Sequence, residues 1–341
     1  MKKTAVTAFA VVFAISTAYI IQNGWDNTKL ELFRFLSYFT ITNNPLLTSF
    51  DKDLADIKGA DGRRVDLDQL ISGGLSKGGV KSIDMPIMIR PDETDFPDEA
   101  VVTGVYHENE ARAYPHGILN WHEIVNDWIG NTPVSVTLCP LCDTNPVFVR
   151  QVEGKVLKFG VSGKLFQSCL VMYDKATNSL WAQPWGLSIA GKLVNKNLQR
   201  IPAVKTTWGK WKRQHPKSLI LSKRTGEFGN YNKYPYGDYN TNDSIVFPVR
   251  NKDLMKRHPK TPIVILWDKE DRQIRNGFGG NSRFLFVDEI SQKKERQIDF
   301  FGKPLTVKWD SSMNYPRAYS DNKEIPISSS FLFVYTAMFV N

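Results

Sequence analysis

Hydrophobic positions open the chain in one block: Met1-Lys2-Lys3 precedes an apolar stretch from Thr4 to Ile21 that carries no charge. No polar face divides it, which predicts a hydrophobic N-terminal helix. From Asn27 to Phe39 the residues Leu30, Leu32, Phe33, Leu36 and Phe39 fall near helical spacing and predict a short amphipathic helix. Asp51 to Arg64 is mostly polar and reads as a connector.

Beyond it the pattern turns to strands. Ala100–Val105 and Ala111–Tyr114, around a turn at Asn109, predict a hairpin. Ile118, Leu119, Trp121, Val125, Trp128 and Ile129 align around a helix predicted over 118–129; it carries His122, Glu123 and Asp127 and stops at Gly130-Asn131. Val134–Leu138 alternates as a strand into Cys139-Pro140-Leu141-Cys142, a turn follows over Asp143–Pro146, and a strand begins at Val147. Further strands are predicted at Val156–Val161, Leu170–Tyr173, Ser179–Ala182, Leu219–Leu221, Pro262–Trp267, Phe284–Val287 and Leu305–Trp309, with a helix over Thr207–Gln214. Phe331–Val340 is too short to cross a membrane and reads as a core element.

These elements predict an α+β, strand-rich single globular body over 61–341, preceded by 1–22 as signal peptide or membrane anchor and 23–60 as amphipathic segment and linker. An echo between Gly130-Asn131-Thr132-Pro133-Val134-Ser135-Val136 and Gly302-Lys303-Pro304-Leu305-Thr306-Val307 suggests two similar halves, 61–245 and 246–341.

Lysines before an apolar run are what an export machinery reads, so the body is expected to be periplasmic or otherwise extracytoplasmic. Ser16-Thr17-Ala18 offers a small-residue cleavage site, while the apolar run continuing to Ile21 suits an anchor in the inner membrane. The formal charge of +9 is spread thinly, without a dense basic block and interleaved aromatics. Nucleic-acid binding is not expected, although a mild affinity for anionic lipid is. The glycines near 73–79 lack the flanking strand and helix of a phosphate loop, so no nucleotide is expected. Gly-x-Ser-x-Gly, His-Glu-x-x-His and Walker patterns are missing, which withdraws support from hydrolase and kinase templates.

The chemistry concentrates on sulfur. Cys139 and Cys142, with two residues between them, stand on a sharp turn between strands, a knuckle able to present two thiolates to one soft ion or to close a small disulfide. His122 offers an imidazole and Met172 a thioether, a soft set that favours copper(I), with zinc as the other metal considered. Cys169 lies among apolar residues and reads as a buried free thiol. His107, His116, His215 and His258 flank turns or prolines and read as surface positions, and Ser162-Gly163-Lys164 reads as a turn.

Ser72-Gly73-Gly74, Ile83-Asp84-x-Pro86, Arg112-Ala113-Tyr114-Pro115, His122-Glu123-Ile124-Val125-Asn126-Asp127 and Cys139-Pro140-Leu141-Cys142 resemble, in order, the domain of unknown function 3179 family. Phe159-Gly160-Val161-Ser162-Gly163, Met172-Tyr173-Asp174, Ser179-Leu180-Trp181-x-Gln183, Thr207-Trp208 and His215-Pro216 extend the resemblance from about residue 65 onward. It implies that His122, Cys139 and Cys142 belong to one pattern, with Ser162, Asp174, Trp181 and Gln183 as neighbours. It implies no activity. Asp143 replaces a usual glycine and Cys169 a usual asparagine or aspartate, which puts the knuckle's turn in question and argues against Cys169 as a general ligand.

Three readings follow from the residues: a metal site of Cys139, Cys142 and His122; a thiol-disulfide enzyme using the same pair; and a non-catalytic envelope module.

Overall fold

The computed structural model describes residues 69–267 and 282–339. The hydrophobic segment 1–22 and the amphipathic helix and linker of 23–60 lie outside them. Among the described residues no helix is long and apolar enough to cross a membrane. Among the described residues the body is strand-rich with four short α-helices.

The expected hairpin is formed by β1 (Val101–His107) and β2 (Glu110–Pro115). Its turn residues Glu108 and Asn109 both take positive φ, 47° and 61°, as the right-handed twist of a two-residue hairpin demands. The Glu108 carboxylate then accepts the Asn131 amide at 2.7 Å and the Thr132 hydroxyl at 2.6 Å, tying this turn to the next one.

Helix α1 (His116–His122) follows β2 directly, and here the sequence reading needs correction. The helix does not run to Ile129. It ends at His122, Glu123 adopts a left-handed backbone (φ 59°), and Ile124–Ile129 is strand β3, paired with β4 (Thr132–Thr137) across Gly130. Every residue of β3 except Trp128 is buried. A strand covered on both faces carries no alternation, so its apolar residues aliased onto a helical period. β4 pairs in turn with β5 (Val147–Val149).

A second sheet contains β6 (Phe159–Phe166), β7 (Cys169–Asp174), β8 (Leu180–Ala182) and β9 (Leu187–Ala190), with Ile71–Ser72 on the outer edge of β6. Its register breaks between Val161 and Lys164, where Gly163 has φ 72°; Ser162-Gly163-Lys164 is therefore a bulge within a strand rather than a turn between two. Strand β10 (Val204–Thr207) pairs with β1 and leads into α2 (Trp208–Gln214). The α2 residue Trp211, 1% exposed, lies against Gly104 of β1, where a Cβ would fall inside the indole. Gly104→Ala should accordingly cost about 1–3 kcal/mol by overpacking. A lowered urea midpoint measures it, and an unchanged midpoint contradicts the packing described.

After Val246 the chain builds β11 (Pro262–Trp267), β12 (Ser282–Phe286), α3 (Val287–Lys293), β13 (Glu295–Phe300), β14 (Lys303–Asp310), β15 (Tyr315–Ser320), β16 (Ser328–Phe331) and α4 (Leu332–Phe339). This stretch repeats the register of α1 to β5. Ile124 pairs with Thr137 as Glu295 does with Lys308, Ser135 with Phe148 as Thr306 does with Tyr319, and Cys139 with Thr144 as Asp310 does with Tyr315. Each pair is displaced by 171 positions (295 minus 124, 306 minus 135, 310 minus 139). The left-handed Glu123 recurs at Lys294 (φ 66°), and Asp143 at Asn314, both at φ 55°. In this register Gly302 corresponds to Asn131, one position from the alignment suggested by sequence.

The C-terminal segment is a core element, as expected. Alone, an eight-residue helix is marginal. In α4, Leu332, Phe333, Val334 and Met338 are buried in the cluster that holds the three cysteines, at about 1.5–3 kcal/mol for each such side chain.

Candidate functional site

The knuckle sits at the end of β4. The Leu138 amide donates to the Glu123 carbonyl at 2.8 Å, and the next six residues close on themselves: Cys139 N–H to Thr144 O at 2.9 Å and Asp143 N–H to Cys139 O at 2.8 Å. Asp143 occupies the left-handed position that glycine fills without strain and aspartate tolerates. The turn is kept, and the Asp143 carboxylate pairs with Lys205 Nζ at 2.6 Å. Gln183 braces the bend from β8's end, donating to Thr137 Oγ1 (2.9 Å) and Thr144 O (3.1 Å) and accepting from the Thr144 hydroxyl (2.6 Å).

All three cysteines are free and buried, at 1% exposure or less. Cys142 Sγ lies 3.1 Å from Thr144 Oγ1, and the three cysteines share one apolar cluster. Burial pushes all three thiols up, so they are neutral. Cys169, read from sequence as a buried free thiol, is that. Met172 lies fully buried in β7.

His122 ends α1 with both ring nitrogens engaged. Nδ1 is 2.8 Å from the Lys81 carbonyl and Nε2 is 2.7 Å from the Tyr231 hydroxyl. A carbonyl only accepts, so Nδ1 carries the proton and Nε2 spends its lone pair on Tyr231. Burial lowers the His122 pKa and holds the ring neutral. Cys139 and Cys142 are brought together; His122 is bonded to other groups, and among the described residues no group of three His, Cys, Asp or Glu side chains is arranged to hold a metal ion.

Of the other residues named from sequence, Asp174 accepts the Trp181 indole N–H at 3.1 Å, and Asp174, Trp181 and Ser162 are all buried structural positions. His116 corrects the surface reading. It is 8% exposed, its Nε2 is 2.9 Å from Thr103 Oγ1, and burial pushes its pKa well down.

The residue that sequence reasoning passed over is Glu123. Its left-handed backbone belongs to the fold, because Lys294 repeats it; its environment does not recur. Lys294 is exposed, whereas Glu123 is 9% exposed. Its carboxyl accepts a 3.4 Å hydrogen bond from Tyr236, too little to offset burial, which pushes the pKa from 4.5 up to about 8. Glu123 opens on a cavity of about 220 Å³ walled by Leu75, Leu141, Val161, Leu165, Leu170 and Phe247. Lys164, His122 and Tyr236 add polar groups to the lining. A second cavity of about 290 Å³ shares Val80, Lys81 and Glu227 with the first and is bordered by the Asp84–Lys175 ion pair at 2.7 Å.

A tyrosine-rich loop closes the site. Tyr236 reaches Glu123, Tyr234 donates to Pro140 O at 3.3 Å, and Tyr239 donates to Leu141 O at 2.9 Å. The run of tyrosines between 231 and 239 was the available sequence signal, since phenols that are buried seek acceptors.

A family model described as "Protein of unknown function (DUF3179)" matches residues 77–336, which include the knuckle, Glu123, the tyrosine loop and all of the second cavity. No curated protein and no solved structure matches the chain.

Proposed function

The chain belongs to the DUF3179 family, and from that premise, which names no activity, we propose that the domain binds a largely apolar small molecule and exchanges a proton with it through Glu123. One observation carries this reading: a carboxyl that burial keeps protonated at neutral pH faces an apolar cavity. Convergence of a few polar groups in an apolar pocket, with one perturbed acid among them, is the usual composition of a ligand site. A protonated carboxyl both donates and accepts, so it matches a carbonyl or similar oxygen at the ligand's polar end.

Nile red, an uncharged apolar dye, tests the cavity. Saturable fluorescence enhancement is expected with the full chain, lost in Leu165→Trp, which fills the space. Affinity should fall several-fold as pH rises through about 8 and the carboxylate forms, and Glu123→Gln should remove that pH dependence. Binding that ignores Leu165→Trp, or an identical pH profile in Glu123→Gln, contradicts the assignment.

Two finer readings belong to the same proposal. The constant displacement of 171 positions supports a body of two similar halves, with the chemistry in the first. Lys2-Lys3 ahead of Thr4–Ile21 supports export across the inner membrane, as signal or anchor.

A further inference from the structure

Leu141, inside the knuckle, and Leu170, next to Cys169, both line the cavity and belong to the apolar cluster that holds the three sulfurs. The Leu138 amide holds the Glu123 carbonyl, so the acid and the first thiol hang from adjoining backbone. Cys142 sits in the same turn, its amide donating to the Cys139 carbonyl at 3.3 Å. The second copy of the knuckle has Asp310 and Met313 at the two cysteine positions, and Lys294 in place of Glu123. The acid and the sulfur pair therefore occur together in one copy and are both missing from the other.

We propose that Cys139 and Cys142 form a thiol–disulfide exchange centre for a small organic disulfide seated in the cavity, with Glu123 carrying the proton. The inference rests on the cavity reading above and adds its reactant class. The carboxylate form of Glu123 takes the Cys139 thiol proton, and the resulting sulfur attacks one sulfur of the small disulfide. A Cys139 mixed disulfide forms, the small disulfide's S–S bond breaks, and the departing thiolate recovers the proton from Glu123. Cys142 then yields its proton by the same route and attacks the Cys139 sulfur, closing Cys139–Cys142 and releasing a second thiol. Two electrons pass from the protein to the small disulfide, which leaves as two thiols. Leu141 and Leu170 must swing aside for contact, so they gate the reaction.

The test incubates the reduced full-length chain with hydroxyethyl disulfide, quenches by alkylation and maps the cysteines by mass spectrometry. A Cys139–Cys142 bond with two mercaptoethanol molecules released per chain is expected, and Cys142→Ser should trap the adduct on Cys139. Glu123→Gln should slow the reaction about a hundredfold or more, while Leu141→Ala, by thinning the gate, should speed it. Circular dichroism of each variant separates lost chemistry from lost folding. An adduct confined to Cys169, an unreacted pair, or an unchanged rate in folded Glu123→Gln overturns the proposal. Nile red uptake without exchange overturns exchange and leaves the cavity reading standing. Exchange without Nile red uptake overturns the cavity as the reactant's seat.

Discussion

Stability of the folded chain should fall by up to roughly 5 kcal/mol between about pH 4.5 and 8 through Glu123 alone, and Glu123→Gln should abolish that loss. The carboxyl holds its proton to about pH 8 when folded and releases it near 4.5 when unfolded. Below 4.5 both states are protonated and the group's contribution is complete. As pH rises through the window the unfolded chain binds fewer protons than the folded one, so stability declines until the folded pKa is passed and then levels off. The groups facing Glu123 do not reverse the sign. Tyr236 and Cys139 are pushed up by burial, and His122 is held neutral; Lys164 and Glu227 line the same cavity from β6 and from the loop before the tyrosines. Urea unfolding of both proteins at several pH values measures the effect. Parallel curves for the two would show that the carboxyl is not buried as described.

Asp127→Ala should destabilise the protein by about 3–5 kcal/mol. Its carboxylate accepts from Arg112 Nη1 at 3.0 Å, from the Tyr114 hydroxyl at 2.7 Å and from the Trp128 amide at 2.7 Å. Tyr114 is fully buried, and Arg112 is a half-sheltered cation with Glu110 as its other carboxylate. Removing Asp127 strands a phenol and weakens the hold on a guanidinium, which costs more than the hydrogen bonds themselves contributed. Tyr114→Phe, which removes only one partner of that carboxylate, should cost about 1 kcal/mol. Equal urea midpoints for Asp127→Ala and the parent would refute the network's role.

Turn chemistry made much of the fold legible in advance. Asn109 marked a hairpin and Gly130 the end of an element because each sits where φ must be positive, and the strands on either side of the knuckle alternated or were bounded by proline. The end of α1 was illegible because Ile124–Ile129 is covered on both faces. The same doubled burial hid the motif His122–Asp127: its polar residues look like one face of a helix, yet each serves a different neighbour. Asn126, for example, donates to Asp84 and Phe159 O and accepts the Phe159 amide, joining β3 to β6. Cys139 and Cys142 could be paired from spacing alone. That both ring nitrogens of His122 are bonded elsewhere depends on where Lys81 and Tyr231 come from, 41 and 109 positions away, and local sequence does not encode that. Glu123 was invisible for a related reason, since a carboxyl's acidity is set by what the rest of the chain packs around it.

The left-handed corner after α1 and α3 has a consequence for engineering. One copy carries an ammonium in water and the other an acid in hydrocarbon, with φ differing by only a few degrees. The joint's geometry is thus indifferent to its cargo. New side chains installed at position 294 should leave the backbone undisturbed, making that corner a ready socket for a fluorophore or a reactive handle.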